Sequence, residues 1–459
     1  MENSKMETYK YVYFIGVGGI GMSALARYFN VLGYAVFGYD KTPSPLTDTL
    51  IREGVLIHFD DNPNLIIELG LTLLDTLVVY TPAIPLDLNE FIYFSDHSFT
   101  CLKRAEVLGL ITRNSKSVCV AGTHGKTTTS AMLAHILHNS SVGCNAFLGG
   151  IATNYDTNYL GSTTSEYTVI EADEFDRSFL QLTPFISIIT TTDADHLDIY
   201  GNVEEFACGF NAYAHLINEQ GALIVRKGIT LDSVAHQITY GSELDADFSF
   251  NNLRFEHNFQ LMDVYFQGQC WTDVHLGLPG LHNAENALAC IAVGITIGLT
   301  EVEIRDSLRS FKGVKRRFEF HIRRNELVYI DDYAHHPTEI NALVNSIKNL
   351  YPNKKITMVF QPHLFSRTRD FVDGFAQALS AVDCLYLLPI YPAREKPILG
   401  VTSDALFDLI DLKDKHLVPY ANLVDVFVVP SEGVLLTVGA GDIDRLVIQL
   451  KCKIEETFN

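Results

Sequence analysis

Two glycine-rich segments in this chain, each set between an apolar run and a helix-forming run, are suited to holding phosphate. The first, "FIGVGGIGMS" (residues 14–23), places Gly16, Gly18 and Gly21 in G-x-G-x-x-G spacing, with Gly19 inside it. After a strand and before a helix, that spacing lets backbone N–H groups and a helix N-terminus approach a diphosphate. Asp40, at the end of the next apolar run, suits a ribose hydroxyl. The loop alone leaves NAD, FAD and a UDP-sugar open, and a ligand-free tight turn remains the alternative.

The second segment, "VCVAGTHGKTTT" (118–129), ends in Gly125-Lys126-Thr127. The general phosphate-loop pattern requires a glycine where Val120 stands; the nearest is Gly122, so the loop is tighter, and Val120 reads as the last buried strand residue before it. In such a loop Lys126 reaches the β- and γ-phosphates, Thr127 offers its hydroxyl to Mg²⁺, and Gly122 to Gly125 supply backbone donors.

Carboxylates gather at two later strand ends. "VIEADEFD" carries Glu171, Asp173, Glu174 and Asp176, and "TTDADHLDIY" carries Asp193, Asp195, His196 and Asp198. Ligands of open α/β sheets sit at the carboxyl ends of strands, so both clusters should face the phosphate loop. Glu171 is the expected metal ligand, since Mg²⁺ takes oxygen donors; the other six carboxylates are expected to be solvated strand-end charges. His196 is a second metal ligand or a hydrogen-bonded turn residue. Farther on, "LPGLHNAENALA" sets His282, Asn283 and Asn286 at a helix start, as caps or as contacts to a base. Arg316 and Arg317 in "GVKRRFEF" offer a paired cation for a phosphoryl group, with an ordinary surface pair as the alternative. Asp331, Asp332, His335 and His336 in "DDYAHHPTEI" precede a helix beginning at Pro337 and favour a site.

The elements that must position these residues alternate between strand and helix. "YVYFIGV", "MSALARYFNVLG", "AVFGYD" and "TLVVYTPAI" read as parallel strands with a crossover helix. The polar stretch 112–117 separates them from a second such series, and a third restarts near 317. Residues 240–276 read as short antiparallel strands. The chain is therefore expected to form three α/β domains, 1–112, 113–316 and 317–459.

Bulk properties set the limits. With 459 residues, 47% hydrophobic and 19% charged, the chain is globular and too long for one ordinary core. A formal charge of −21 has the wrong sign for sequence-independent binding to nucleic acid or anionic membranes. Anionic ligands must therefore be held by local cations and backbone N–H groups. Eight scattered cysteines form no zinc or disulfide pattern and suit reduced thiols in a cytoplasmic protein. The polar start "MENSKMETYK" lacks an apolar signal region, and the apolar run 287–299 is too short to span a bilayer.

Taken together, "FIGVGGIGMS", "GTHGKTTT", "EADEFDRSFL", "DADHLDIY", "LHNAENALA", "GVKRRFE", "DDYAHHPTE", "FQPHLFSRT", "IYPAREKPI" and "GAGDI" resemble, in order from residue 14 to 442, the Mur ligase family. These are ATP-dependent amide ligases of peptidoglycan precursor synthesis, whose phosphate loop has the short form G-T-x-G-K-[ST]. The resemblance implies a Rossmann-like N-terminal domain for a UDP-linked substrate, a central P-loop ATPase-type domain, and a Rossmann-like C-terminal domain for the incoming amino acid. It is closest to the alanine-adding branch, and so implies L-alanine and UDP-N-acetylmuramate as substrates, ATP with Mg²⁺ or Mn²⁺, and a monomer or weak homodimer.

Residue by residue, the resemblance puts Gly122, Thr123, His124, Gly125, Lys126, Thr127, Thr128, Asn283 and Asn286 on ATP. Thr127, Glu171 and His196 would hold metal. Gly16, Gly18, Gly19, Gly21 and Asp40 would contact the UDP substrate. Lys126 and Arg317 would stabilise the transferring phosphoryl group, Asp332 would help dock the C-terminal domain over the nucleotide, and His336, His363 and Arg367 would lie near the amino acid, His336 as a catalytic group. Two departures stand out: Asn211 occupies the position of a carbamylated lysine found in several members, and Leu364 stands where a basic residue is common. The tripeptide-recycling branch is the near alternative. An NAD-dependent oxidoreductase would explain "GVGGIG" and Asp40 but not "GTHGKTT", Glu171 and His196; a non-catalytic nucleotide switch would explain the phosphate loop but not two Rossmann-like flanking domains.

Overall fold

The computed structural model describes residues 8–193, 200–256, 259–393 and 395–458. Its first sheet is all parallel in the order β3-β2-β1-β4-β5, with β1 (Tyr11–Ile15), β2 (Ala35–Tyr39), β3 (Leu56–His58), β4 (Thr76–Tyr80) and β5 (Thr100–Lys103). The central strands are apolar on both faces because helices cover both; Val12 to Ile15 are fully buried. After β1 the chain fills one side of the sheet with β2 and β3 before returning to the other with β4. The turn leaving β1 therefore opens at the switch point, where ligands of such sheets bind. Helix α1 (Ile20–Val31) follows that turn, and α2 (Arg104–Thr112) closes the series.

The second sheet has ten strands, β15-β14-β13-β12-β11-β10-β6-β9-β7-β8. Its parallel centre holds β6 (Lys116–Ala121) between β9 (Tyr167–Glu171) and β10 (Ile186–Ile189), flanked by β7 (Asn145–Ala152), β11 (Ala222–Arg226) and β12 (His236–Gly241). Strand β6 runs one residue past Val120, and Ala121 is equally buried. Helix α3 (Lys126–His138) then carries the chain to β7. The expected antiparallel stretch is β13 (Phe248–Glu256), β14 (Phe259–Phe266) and β15 (Gln269–Leu276). The antiparallel edge strand β8 (Thr157–Leu160) is not among the elements expected from the sequence. The buried helix expected around 287–299 is α4 (Leu281–Thr296).

These two sheets are packed as one body: residues 8–278 and 282–311 form one compact unit. Helix α1 seals the seam. Tyr28 packs its ring against Phe147 at 5.2 Å and Tyr159 at 6.1 Å, and Arg27 donates to the fully buried Asn158, which in turn donates to Ser23 Oγ at 2.9 Å. The chain passes into the second sheet at 113–115 without a break in this core.

Residues 279–281 and 312–458 form the other unit. Its six-stranded sheet, β16-β17-β21-β18-β19-β20, is parallel except for β16 (Glu319–Arg323), which runs against β17 (Leu327–Asp332). The remaining strands are β18 (Ile356–Phe360), β19 (Cys384–Leu387), β20 (Lys415–Leu417) and β21 (Gly433–Val438), and helix α5 (Pro337–Leu350) follows the segment after β17. All three sheets thus carry the residues of interest at their carboxyl ends.

Candidate active site

The loop after β6 is built to leave its helix start open. Gly122 and Gly125 have φ of +128° and +82°, values that L side chains rarely adopt. A Cβ on Gly122 would collide with Thr190 Oγ1, and one on Gly125 would lie 3.1 Å from Asn286 Oδ1. The segment after β10 staples the loop: Thr123 N donates to Thr191 O at 3.1 Å, His124 N to Thr191 Oγ1 at 3.0 Å, and Thr123 Oγ1 to Asp193 O at 2.6 Å. Two amides expected to face a phosphate are therefore already bonded within the protein. The first-turn N–H groups of Lys126, Thr127 and Thr128 have no acceptor within α3 and add to the donors of the loop. A helix N-terminus with unpartnered N–H groups suits an anion.

Two acid–base contacts define the chemistry of that helix start. Lys126 Nζ meets both oxygens of Glu174, at 2.8 and 2.6 Å. Glu174 is 1% exposed; burial raises its pKa and the Lys126 charge opposes that rise. Thr127 Oγ1 donates to Glu171 Oε1 at 2.9 Å, and Gly149 N donates to Glu171 Oε2 at 3.0 Å. The amide fixes the carboxylate while its other oxygen lies beside the hydroxyl. A carboxylate and a hydroxyl in contact at the mouth of a phosphate seat are hard oxygen donors of the kind that hold Mg²⁺ together with substrate phosphates, so these residues fit that ion. The expectation that only Glu171 among the seven carboxylates would be more than a solvated charge fails for Glu174, which the turn after β9 buries against Lys126.

Asn283 and Asn286 sit inside the first turns of α4 rather than at its cap, and both are buried. Asn286 Nδ2 donates to Asn283 Oδ1 at 3.3 Å, which turns its own Oδ1 toward Gly125. Asn211 Oδ1 accepts from Asp232 N at 3.0 Å. His196, with Asp195 and Asp198, lies outside the described residues.

At the first sheet the glycine turn is likewise self-satisfied. Gly16 N and Val17 N donate to Tyr39 O, Gly19 N to Gly16 O, and Gly18 N to Asp40 Oδ2 at 2.7 Å. Asp40, expected to meet a ribose hydroxyl, thus braces the glycine turn. The donors left for a diphosphate are again in a first turn, at Ile20, Gly21 and Met22 of α1. A Cβ on Gly21 would lie 2.5 Å from an Arg104 guanidinium nitrogen. Arg104 therefore covers this helix start as the local cation that a chain of charge −21 needs. It lies 83 residues from Gly21 in sequence, and no spacing rule connects the two.

In the C-terminal unit the strand ends assemble a second cluster. Arg316 and Arg317 both lie over the Tyr333 ring at 5.0 Å, yet they differ in task. Arg316 donates to the carbonyls of Gly439 at 2.7 Å and Gly441 at 3.0 Å, which ties it to the loop after β21. Asp332 accepts from Phe318 N at 2.7 Å and Ala334 N at 2.8 Å; burial raises its pKa against the Arg317 charge. Asp332 holds the turns that present Arg317.

Hydrogen bonding sorts the histidines. His336 Nδ1 accepts from Thr338 N at 3.3 Å and caps α5, so its neutral ring carries the proton on Nε2 and offers no base there. His363 Nδ1 accepts from Arg367 at 3.3 Å; burial and Arg367 push its pKa down to about 4. Its ring stacks on Tyr391 at 5.7 Å. His335 is the reverse case: Nδ1 donates to Tyr333 O at 2.9 Å, leaving the Nε2 lone pair available, and burial lowers its pKa. Leu364, with φ +71°, bends the chain so that Ser366 N reaches Glu395 Oε2 at 3.0 Å.

Comparison with known proteins agrees with this layout. Three family models match: "Mur ligase family, catalytic domain" over residues 11–116, "Mur ligase middle domain" over 120–294, and "Mur ligase, glutamate ligase domain" over 316–440. A UDP-N-acetylmuramate--L-alanine ligase of Flavobacterium psychrophilum is 49% identical over 445 residues, covering 97% of this chain and 98% of that protein. The enzyme of the same name from Phocaeicola vulgatus is 50% identical over 450 residues, with the same coverage. The crystal structure of a UDP-N-acetylmuramate-alanine ligase from Thermotoga maritima superposes with a TM-score of 0.81 at 28% identity, over 98% of this chain and 99% of that one. A murein peptide ligase from Psychrobacter arcticus shares the fold, with a TM-score of 0.67 at 21% identity over 97% and 98% of the two chains. With matching models along nearly its whole length and relatives at about half identity, the chain belongs to the Mur ligase family.

Proposed function

We propose that the protein joins L-alanine to the muramoyl carboxylate of UDP-N-acetylmuramate at the expense of ATP, giving ADP and phosphate. The observation that carries this reading is the helix start at Lys126–Thr128, with Lys126 on Glu174 and Thr127 on Glu171, in a chain whose full-length relatives are alanine-adding ligases.

A free carboxylate has no adequate leaving group for amide formation. Its oxygen attacks the γ-phosphorus of ATP, the bond to the β-phosphate oxygen breaks, and ADP leaves an acyl phosphate. The neutral alanine amine then attacks the acyl carbon, phosphate departs, and the nitrogen loses one proton to become the amide N–H. Catalysis of such transfers is mostly positioning and charge neutralisation. Lys126 exchanges Glu174 for phosphoryl oxygens and Arg317 supplies a second cation. Mg²⁺ at Thr127 and Glu171 would neutralise phosphate charge, and Mn²⁺ suits the same donors. His335, with a free Nε2 lone pair, receives the amine proton in place of His336, while Arg367 takes the alanine carboxylate. The division of labour follows the three sheets: residues 1–112 for the UDP moiety, 113–316 for ATP and 317–459 for the amino acid. Work on a nucleotide-linked precursor suits the cytoplasm, and no described helix is long and apolar enough to cross a membrane.

The test is phosphate release from ATP with each substrate supplied alone and both together. Release that requires both UDP-N-acetylmuramate and L-alanine supports the proposal. A reaction driven by the tripeptide and not by alanine would move the chain to the recycling branch.

A further inference from the structure

A second cluster of potential ligands lies at the opposite ends of the C-terminal strands. Strands β19 and β20 pair in parallel, with Leu385 against Lys415 and Tyr386 against His416, which sets Cys384 beside Asp414. Because successive side chains alternate between faces, Cys384, Tyr386, Asp414 and His416 share one face. Cys384 Sγ, an Asp414 carboxylate oxygen and a His416 ring nitrogen all lie within 4.8 Å of one another. The His416 ring is held flat on Tyr386, with centroids 4.8 Å apart and planes at 27°, and its Nε2 meets Asp414 Oδ1 at 3.0 Å.

These three groups border a cavity of about 1060 Å³ that Asn422, Val426 and Val428 also line. The lysine between Asp414 and His416 is directed elsewhere: Lys415 Nζ donates to Phe407 O and Ile410 O at 2.7 and 2.8 Å. Asp383 adds a further carboxylate to the cavity wall.

We propose that Cys384, Asp414 and His416 form a binding site for a thiophilic divalent cation, Zn²⁺ by its ligand chemistry, separate from the ATP–Mg²⁺ seat. A thiolate, an imidazole and a carboxylate are the three donor types that Zn²⁺ takes, and three protein ligands leave a fourth position for water or an incoming group. Softness argues for Zn²⁺ over Mg²⁺, which avoids sulfur. On binding, the ion replaces the thiol proton and the hydrogen bond between His416 and Asp414. The ligands come from paired strands in fixed register, so little reorganisation is required. Cys384 and Asp414 lie at the amino ends of β19 and β20, whereas the segment leading to Tyr391 leaves β19 at its carboxyl end.

Titration of the full-length protein with Co²⁺, a spectroscopic stand-in for Zn²⁺, tests the assignment. A thiolate-to-cobalt charge-transfer absorption is expected to saturate at one equivalent and to be displaced by Zn²⁺. Cys384→Ala and Cys384→Ser should abolish it, and His416→Ala should weaken binding at least about tenfold. Cys208→Ser, at an exposed cysteine elsewhere, should leave it unchanged. Circular dichroism identical to that of the parent protein separates ligand loss from misfolding. Absence of the charge-transfer band, or a band of equal strength in folded Cys384→Ser, overturns the proposal.

Discussion

Lys126 Nζ lies 2.6 Å from Glu174 Oε2, and the carboxylate beneath it is almost wholly buried. The lysine proposed to meet phosphate is thus held by an internal anion that an incoming phosphate would replace. Removing one member of a buried pair strands the other, at a cost of about 3–5 kcal/mol. Lys126→Ala should therefore lose both ligation and stability. Lys126→Ala with Glu174→Gln should recover most of the stability in urea unfolding but none of the phosphate release. Equal instability of the single and double variants would show that the pair is not the source of the cost.

Gly122 and Gly125 are predicted to tolerate no side chain. Alanine at either position meets strain at positive φ, of order 1–3 kcal/mol, and at Gly122 also a collision with Thr190 Oγ1. Gly122→Ala should be the more damaging to thermal stability, because its neighbours are the staple residues after β10. Gly125→Ala should chiefly weaken ATP binding, measured by calorimetry, because Asn286 is the flexible neighbour that gives way.

Glu171 joins Thr127 to the Gly149 amide. Glu171→Gln preserves much of this packing but removes the charge. The Mg²⁺ concentration for half-maximal activity should rise at least about tenfold while the KM for UDP-N-acetylmuramate stays within about twofold. An unchanged Mg²⁺ requirement would remove Glu171 from the metal site.

The neighbouring histidines should separate cleanly. His335→Asn removes the free ring nitrogen and should lower kcat by about 10²-fold or more, flattening the acid limb of the rate–pH profile. His336→Ser keeps a side chain able to cap α5 and should retain most activity. The reverse ranking would return the proton-accepting role to His336.

His363 makes a contribution to stability that depends on pH. Its folded pKa is near 4, against an ordinary value of 6.5. Between those values the unfolded chain binds a proton that the folded chain refuses, so stability falls as pH drops through 6.5 toward 4. His363→Asn should make the melting temperature less steep across this window and change it little above pH 7. Identical slopes in the two proteins would refute the lowered pKa of the half-buried His363.

The three sheets and both glycine turns are legible in the spacing of glycines, the alternation of apolar runs and ten ordered segments. Each of these signals is local: a strand, its turn and its helix lie within about 30 residues, and the turn chemistry is written in consecutive residues. Partnerships are not legible in this way. Glu174 reads as one acid in a run of acids until the turn after β9 carries it under Lys126. Arg104 stands in none of the ten segments, and only the structure places it over Gly21. The roles of His335 and His336 are decided by which ring nitrogen meets a backbone carbonyl and which meets an amide. Sequence determined the elements and the kind of ligand they suit, because backbone geometry and periodicity act over short range. Only the tertiary structure decided which donors were already satisfied, which charges were paired and which lone pairs stayed free, because burial and hydrogen-bond partners come from strands brought together across the sheet.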